Sequence, residues 1–282
     1  MAALITGGTG KTGSILAKLL HEANYPFVIA SRSGNTTGAH RGVHFDWFDS
    51  NTFLNPFDAD PGIDRVLLIP PTGTIAAVSV VGPFLDLAIK KGVKRFVLLA
   101  STEARVGSPG VGMIHQYLVD KDVEYTVLKP TYFMQNFSTS FYRSIREDNE
   151  VFSATEDGKI PWISCKDIAQ AACNALTTEN SQRKELYVLG PDLYTYGEVA
   201  ALLSNVLNRK ISHRRHTIEE QAEAYKRLGY PSDFANALAA SEGRVAHGRA
   251  LIYLNEPDER KYIGRHTLEQ YFKENRDLWM ID

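Results

Sequence analysis

With 282 residues, 44% of them hydrophobic and 23% charged, the chain can build a full core, as one large α/β domain or as a domain with a smaller lobe. A formal net charge of −2, with Lys and Arg scattered, leaves no field to recruit nucleic acid or an anionic membrane. Cys165 and Cys173 come without a CxxC spacing or a histidine cluster, and no apolar run or leader segment is evident, so no metal is expected and a soluble, cytoplasmic protein is.

Strands and helices then alternate. Ala2–Ile5 reads as a strand, and Gly13–Ala23, with Ile15, Leu16, Leu19 and Leu20 at helical spacing, as a helix. Phe27–Ala30 and Val43–Phe45 are expected strands, and Arg65–Ile69 is an apolar one stopped by Pro70 and Pro71. A helix from about Ile75 to Lys91 ends at Gly92, with basic residues where the helix dipole favours them. Arg95–Ala100 is the next strand, Met113–Lys121 a shorter helix, and Tyr125–Leu128 a strand before Pro130. Strands apolar on both faces and separated by helices imply a covered parallel sheet, hence a doubly wound, Rossmann-type α/β fold.

After Pro130 the rhythm changes. Asn149–Thr155 and Lys159–Ser164 are expected to pair as a hairpin around Glu156-Asp157-Gly158. Ser164/Asp167, Thr195/Glu198 and Thr217/Glu220 each set a hydroxyl three residues before an acid and mark helix starts, the Thr–Glu pairs as full capping boxes. Leu186–Leu189 is expected to return to the main sheet, and Thr217–Asp282 to be mostly helical. The expected division is a cofactor domain over residues 1–130, rejoined by the strand near 186–189, and a smaller substrate lobe over 131–282, mostly helical and packed closely on it.

Gly7, Gly10 and Gly13 form GxxGxxG between an apolar strand and an amphipathic helix, with Thr9, Lys11 and Thr12 in the same loop. Such a loop lets the backbone approach a diphosphate, whose charge the free N–H groups and the helix dipole stabilise. A P-loop is excluded by spacing, since GxxxxGK needs Gly where Ile5 stands. Cofactor choice falls at the end of the second strand. A site for NAD would place an acid there, whereas the run here is Ile29-Ala30-Ser31-Arg32-Ser33. Arg32 with the hydroxyls of Ser31 and Ser33 suits the 2′-phosphate of NADP(H), the alternative being a solvated loop arginine. Asp46 and Trp47 either flank the adenine or, for Trp47, join the core. Pro70-Pro71-Thr72 and Ser101-Thr102 end the fourth and fifth strands on the carboxyl edge where such folds bind ligands, although two prolines also serve simply to stop a strand. Tyr117 and Lys121 spell YxxxK, the short-chain dehydrogenase dyad, but at the end of a short helix. Tyr117 is thus a weak catalytic candidate, and His115, an expected surface residue, is its polar alternative.

The runs Leu4-Ile5-Thr6-Gly7-Gly8-Thr9-Gly10-Lys11-Thr12, Ala30-Ser31-Arg32, Leu68-Ile69-Pro70-Pro71, His115-Gln116-Tyr117-Leu118 and Val123–Phe137 resemble the NmrA-like atypical short-chain dehydrogenases, most of all the fungal festuclavine synthase and agroclavine dehydrogenase type. Asp157–Pro161, Asp167-Ile168-Ala169 and Leu189-Gly190-Pro191 continue the likeness over nearly the whole chain. The resemblance implies reduction, with NADPH going to NADP+, of a cyclic iminium formed when chanoclavine-I aldehyde condenses with its own secondary amine. The product would be festuclavine, its epimer or agroclavine, with an ene-reductase or a thiol acting upstream. It also implies that Phe133, Gln135 and Asn136 lie near the nicotinamide. The substrate is then expected against a pool drawn from Thr72, Thr102, Tyr132, Phe133, Phe137, Trp162, Tyr225 and Phe234, whose aromatic faces would hold an indole and a cation. Isoflavone reductases, which are relatives, carry a catalytic Lys near the start of the helix before the Tyr-Thr strand; this chain has Gly110-Val111-Gly112 there. An iminium needs no proton donor, because hydride addition gives a neutral amine directly. Two other readings stand beside this one: an NADPH-dependent quinone or carbonyl reductase using Tyr117 or His115 as acid, and a non-enzymatic NADP(H)-sensing regulator.

Overall fold

Every residue of the first strand, β1 (Ala2–Thr6), is buried, and the main sheet grows outward from it on both sides. A computed structural model describes residues 1–35, 40–71, 73, 76–180 and 183–281. After β1 come α1 (Gly13–Glu22), β2 (Phe27–Ser31), β3 (Gly42–His44), α2 (Asn55–Ala59), β4 (Ile63–Leu68), α3 (Ala77–Lys90), β5 (Arg95–Leu99), α4 (Val111–Asp120) and β6 (Glu124–Pro130). Then follow β7 (Glu150–Ser153), β8 (Ile160–Pro161), α5 (Cys165–Thr177), β9 (Arg183–Leu189), β10 (Leu193–Tyr194), α6 (Tyr196–Leu207), β11 (Ser212–Arg215), α7 (Ile218–Arg227), α8 (Ser232–Ala246), β12 (Lys261–Ile263) and α9 (Leu268–Glu274).

The eight-stranded sheet has the order β3-β2-β1-β4-β5-β6-β9-β12, with β1 parallel to both β2 and β4. The chain leaves β1 in one direction through β2 and β3 and in the other through β4 to β6. That reversal opens a crevice at the carboxyl ends of β1 and β4, the place where doubly wound sheets take their ligands. This is the Rossmann-type α/β sheet that the alternating pattern implies.

Contacts divide the chain into two units, Met1–Lys129 with Ile168–Leu186, and Pro130–Asp167 with Tyr187–Asp282. Most of α5 thus belongs with the first unit, although it was expected in the second lobe. The reason lies at the amino ends of β4 and β5. Arg65 and Arg95 are buried there, and their guanidinium groups donate to carbonyls at the end of α5, including those of Leu176, Thr178 and Asn180. Two cations on the carbonyl end of a helix satisfy its orphan acceptors and oppose its dipole.

The second unit corrects one expectation. β7 and β8 do not pair as a hairpin: β7 lies parallel to β11, and β8 antiparallel to β10. The Glu156-Asp157-Gly158 turn does form, with the Gly158 N–H donating to the Thr155 carbonyl at 2.8 Å. However, a Cβ at Gly158 would lie 2.3 Å from the Val245 carbonyl oxygen, so the turn packs on α8 and carries β8 away from β7. The capping boxes at Thr195 and Thr217 are present, and Thr267 with Gln270 makes a third. Asp167 is used otherwise: its buried carboxylate accepts from the backbone N–H groups of Arg265 and His266. Among the described residues no helix is long and apolar enough to cross a membrane.

Candidate functional site

In the first unit the loop after β1 is held by Thr6. Its hydroxyl donates to the Leu67 carbonyl and accepts from the Ile69 N–H, both at 2.8 Å, which locks the ends of β1 and β4 together. Three glycines are then required for different reasons. Gly7 adopts φ +62, a left-handed conformation that other residues resist. A Cβ at Gly8 would stand 2.5 Å from Ile29 Cγ2 of β2, and one at Gly13 2.5 Å from the Gly7 carbonyl oxygen. Gly10 donates its N–H to that same oxygen at 2.9 Å. The loop is consequently pressed flat onto the sheet. Thr9, Gly10 and Lys11 are exposed above it, while Thr12 is buried and gives α1 no side-chain cap. This cradle, shaped where a Cβ would fill it, fits a diphosphate. Gly8 is absent from the spaced motif because its role is packing against Ile29, a contact that spacing does not reveal.

The turn after β2 is equally defined. Gly34 donates to the Ser31 carbonyl at 3.1 Å, and the Ser31 and Ser33 hydroxyls lie 3.4 Å apart. Arg32, between them, is exposed. Trp47 is both rim and core: its ring meets Phe45 and Phe84 edge-on at 4.8 and 5.4 Å, and its Nε1–H donates to the Ile69 carbonyl beside the crevice. Asp46 accepts from the Phe48 N–H at 2.9 Å, which orders the loop around it. Pro70 and Pro71 are half-buried after β4. Ser101 is exposed and Thr102 half-buried after β5; Thr72 lies outside the described residues.

Neither acid candidate stands at that crevice loop. His115 is buried, not on the surface, because α4 turns it inward against the Tyr125 ring with Nδ1 3.5 Å from Glu185. Burial lowers its pKa, with Glu185 opposing. Tyr117 packs on Gly82 of α3, and Lys121 Nζ sits 5.0 Å over its ring and 2.7 Å from Asp86. Burial and the Asp86 carboxylate push the Tyr117 phenol up. The start of α4 disfavours a side chain at Gly110 and at Gly112, and Val111 between them is half-buried. Gly110 has φ +76, Val111 packs on the core, and a Cβ at Gly112 would lie 2.2 Å from the Arg105 carbonyl oxygen.

The second unit gathers most of the aromatic pool, but Phe137 and Trp162 are fully buried. Their rings lie 4.8 Å apart inside a cluster that includes Tyr196 and Phe272, so they build core and offer no free face. Tyr132, which meets Trp162 at 5.6 Å, is half-buried, as are Phe133, Tyr225 and Phe234. Gln135 is a bracket: its Oε1 accepts from the Cys165 N–H at 2.9 Å at the start of α5, and Asn136 beside it is half-buried. One residue carried no signal in sequence. Glu242 of α8 is fully buried, accepts from the Ala154 N–H, the Gln221 amide and the Tyr225 hydroxyl, and its carboxyl is pushed up to about 7 by burial.

The sheet order and the glycine cradle together define a Rossmann-type protein with a site for a dinucleotide. Solved structures with this fold include a triphenylmethane reductase of Citrobacter sp. complexed with NADP(H), at TM-score 0.71 and 20% identity over 92% of this chain and 93% of that one. A second is an Escherichia coli NADPH-dependent quinone oxidoreductase complexed with NADPH, at TM-score 0.73 and 22% identity over 88% and 90%. No family model matches the chain. Among curated proteins it is 43% identical to an agroclavine dehydrogenase of Claviceps purpurea over 88% of each chain. It is 39% identical to another agroclavine dehydrogenase, of Claviceps fusiformis, over 100% of this chain and 99% of that one. A festuclavine dehydrogenase of Aspergillus fumigatus is also 39% identical, over 94% and 93%. The chain therefore belongs to the agroclavine dehydrogenase and festuclavine synthase family of oxidoreductases.

Proposed function

We propose that the protein is an NADPH-dependent reductase of a cyclic iminium, formed from chanoclavine-I aldehyde by condensation with its own secondary amine, and that its product is a clavine. The observation that carries this reading is identity of 39–43%, over nearly full length, to proteins named agroclavine dehydrogenase or festuclavine dehydrogenase. In this reading the first unit holds the cofactor. The Gly7–Gly13 loop takes the diphosphate, Arg32 with Ser31 and Ser33 takes the 2′-phosphate, Asp46 and Trp47 flank the adenine, and Pro70, Pro71 and Ser101 line the path beyond. Phe133, Gln135 and Asn136 are assigned to the nicotinamide end by resemblance. When bound, NADPH supplies the hydride. The chain's task is then to position the electrophilic carbon and exclude water, which lowers the barrier without a proton relay. The closed start of α4, with Gly112 against the Arg105 carbonyl, supports a reaction that does without the lysine of carbonyl-reducing relatives.

The test is NADPH oxidation by the purified protein with chanoclavine-I aldehyde, alone, with a thiol, and with an ene-reductase, followed by product identification. A clavine formed only when protein and NADPH are both present supports the assignment. Absence of a clavine in all three arms refutes it.

A further inference from the structure

Ile69 is the residue on which three parts of the first unit converge: the end of β1, the glycine loop and the loop after β3. β4 ends at Leu68, and Pro70 and Pro71 carry no N–H, so over those two residues the sheet ladder has no donor to continue with. Both backbone groups of Ile69 are held from elsewhere. Its N–H donates to the Thr6 hydroxyl at 2.8 Å, and its carbonyl accepts from the Trp47 indole N–H at 3.1 Å. Its side chain bears on the glycine loop: a Cβ at Gly7 would stand 3.2 Å from Ile69 Cβ and 3.3 Å from its Cγ2. The Gly7 carbonyl in turn closes that loop by accepting from the Gly10 N–H. Neither tie to Ile69 is loose. Thr6 is fully buried, and its hydroxyl also donates to the Leu67 carbonyl. The loop carrying Trp47 is pinned by the Asp46 N–H, which donates to the Thr52 hydroxyl at 2.9 Å, and the indole packs edge-on against Phe45 and Phe84.

We propose that Thr6 and Trp47 are positioning residues for the cofactor and that they act through Ile69: the hydroxyl and the indole N–H hold its two backbone groups, and Ile69 holds Gly7 and with it the shape of the diphosphate loop. The inference rests on the cofactor assignment above and deepens it, since Trp47 then serves the diphosphate end of the site by its N–H as well as flanking the adenine by its ring. The physical gain is order before binding. A loop already fixed in the shape that a diphosphate needs leaves the cofactor less chain to immobilise, and affinity rises accordingly. The two ends of the site are separable by ligand. A molecule with the adenine and the 2′-phosphate but no diphosphate does not use the glycine loop, so loosening Ile69 leaves its affinity unchanged.

The experiment is calorimetric titration of the full chain with NADPH and with adenosine 2′-monophosphate, for wild type, Trp47→Phe, Thr6→Val and Thr6→Ser, with thermal unfolding verifying that each is folded. Trp47→Phe keeps an aromatic ring without the N–H, Thr6→Val keeps the shape without the hydroxyl, and Thr6→Ser keeps the hydroxyl. The first two are expected to weaken NADPH about three- to tenfold, the worth of one hydrogen bond, and to leave adenosine 2′-monophosphate within about twofold of wild type. Thr6→Ser should bind both ligands as wild type does. NADPH affinity unchanged in Trp47→Phe or in Thr6→Val, an equal loss for the two ligands, or a Thr6→Ser protein as weak as Thr6→Val would overturn the proposal. Should Trp47→Phe not fold, the Thr6→Val and Thr6→Ser pair decides alone. Arg32→Asp tests the cofactor assignment separately. It leaves the ties to Ile69 intact and should abolish binding of adenosine 2′-monophosphate; binding that survives it refutes that assignment and not the brace on Ile69.

Discussion

Glu242→Gln should alter how stability depends on pH. The carboxyl titrates at about 7 in the folded protein against 4.5 for the ordinary group, because it is withdrawn from water with no cation beside it. Since the folded value is the higher, the folded state holds the proton more tightly than the unfolded chain. Below about pH 4.5 the side chain is protonated in both states and carries no ionisation cost. Stability is lost as the pH rises and the loss is complete just above 7. A gap of about 2.5 units at 1.36 kcal/mol each amounts to about 3 kcal/mol across that window. Glutamine does not titrate, so the variant escapes this loss. In exchange it offers a single acceptor oxygen, and one donor among Ala154, Gln221 and Tyr225 goes unmatched, at a cost of about 1–3 kcal/mol at every pH. The variant should be the less stable protein at pH 5 and should draw level with wild type or pass it at pH 8. Equilibrium urea unfolding of both proteins at half-unit steps from pH 4.5 to 8 measures the difference directly. A difference that stays constant over this range would show that Glu242 ionises as an ordinary solvated acid.

Three further outcomes follow from the first unit and one from a helix end. Arg32→Asp should cut the preference for NADPH over NADH by about tenfold to a hundredfold, the worth of one charge-assisted contact, and an unchanged affinity ratio would remove Arg32 from the cofactor site. Gly13→Ala forces a Cβ to within 2.5 Å of the Gly7 carbonyl oxygen, so NADPH affinity should drop by at least about tenfold, more than for Gly10→Ala, where the nearest atom is 3.1 Å away. Tyr117→Phe and His115→Gln should each leave clavine-forming turnover within a few-fold of wild type; a loss of about a hundredfold or more with intact NADPH binding would mark an acid catalyst. Thr195→Ala removes a capping box and should lower stability by about 1 kcal/mol, read as a shift in the unfolding midpoint.

The first half of the fold was legible because most of its strands are buried along nearly their whole length and each of these holds a short apolar run. β4 and β5 are of this kind, and their ends were placed within a residue or two. The second half was less legible because its strands other than β9 are two to four residues long and are set by distant partners. β7 finds β11 some sixty residues on, a pairing that no local turn signal reports. Arg65 and Arg95 could be placed in strands, but their service to the end of α5 depends on a helix that lies far along the chain. The aromatic pool was overlong, since Phe137 and Trp162 are buried. Phe137 and Trp162 are large aromatic residues as Tyr132 and Tyr225 are, and packing separates a ring that closes the core from one that meets solvent. Glu242 shows the opposite limit. An acid in an amphipathic helix reads as a solvated residue unless the fold turns it inward.

The start of α4 bears on the chemistry proposed above. A carbonyl reductase must deliver a proton to an oxygen that becomes an anion, and the lysine of related enzymes answers that need. In this chain Gly110 and Gly112 disfavour such a side chain, by backbone conformation and by the Arg105 carbonyl respectively, and a half-buried valine, Val111, stands between them. A substrate that arrives as a cation reverses the requirement. Its charge falls as hydride is added, and the product is a neutral amine that needs no proton delivered to it.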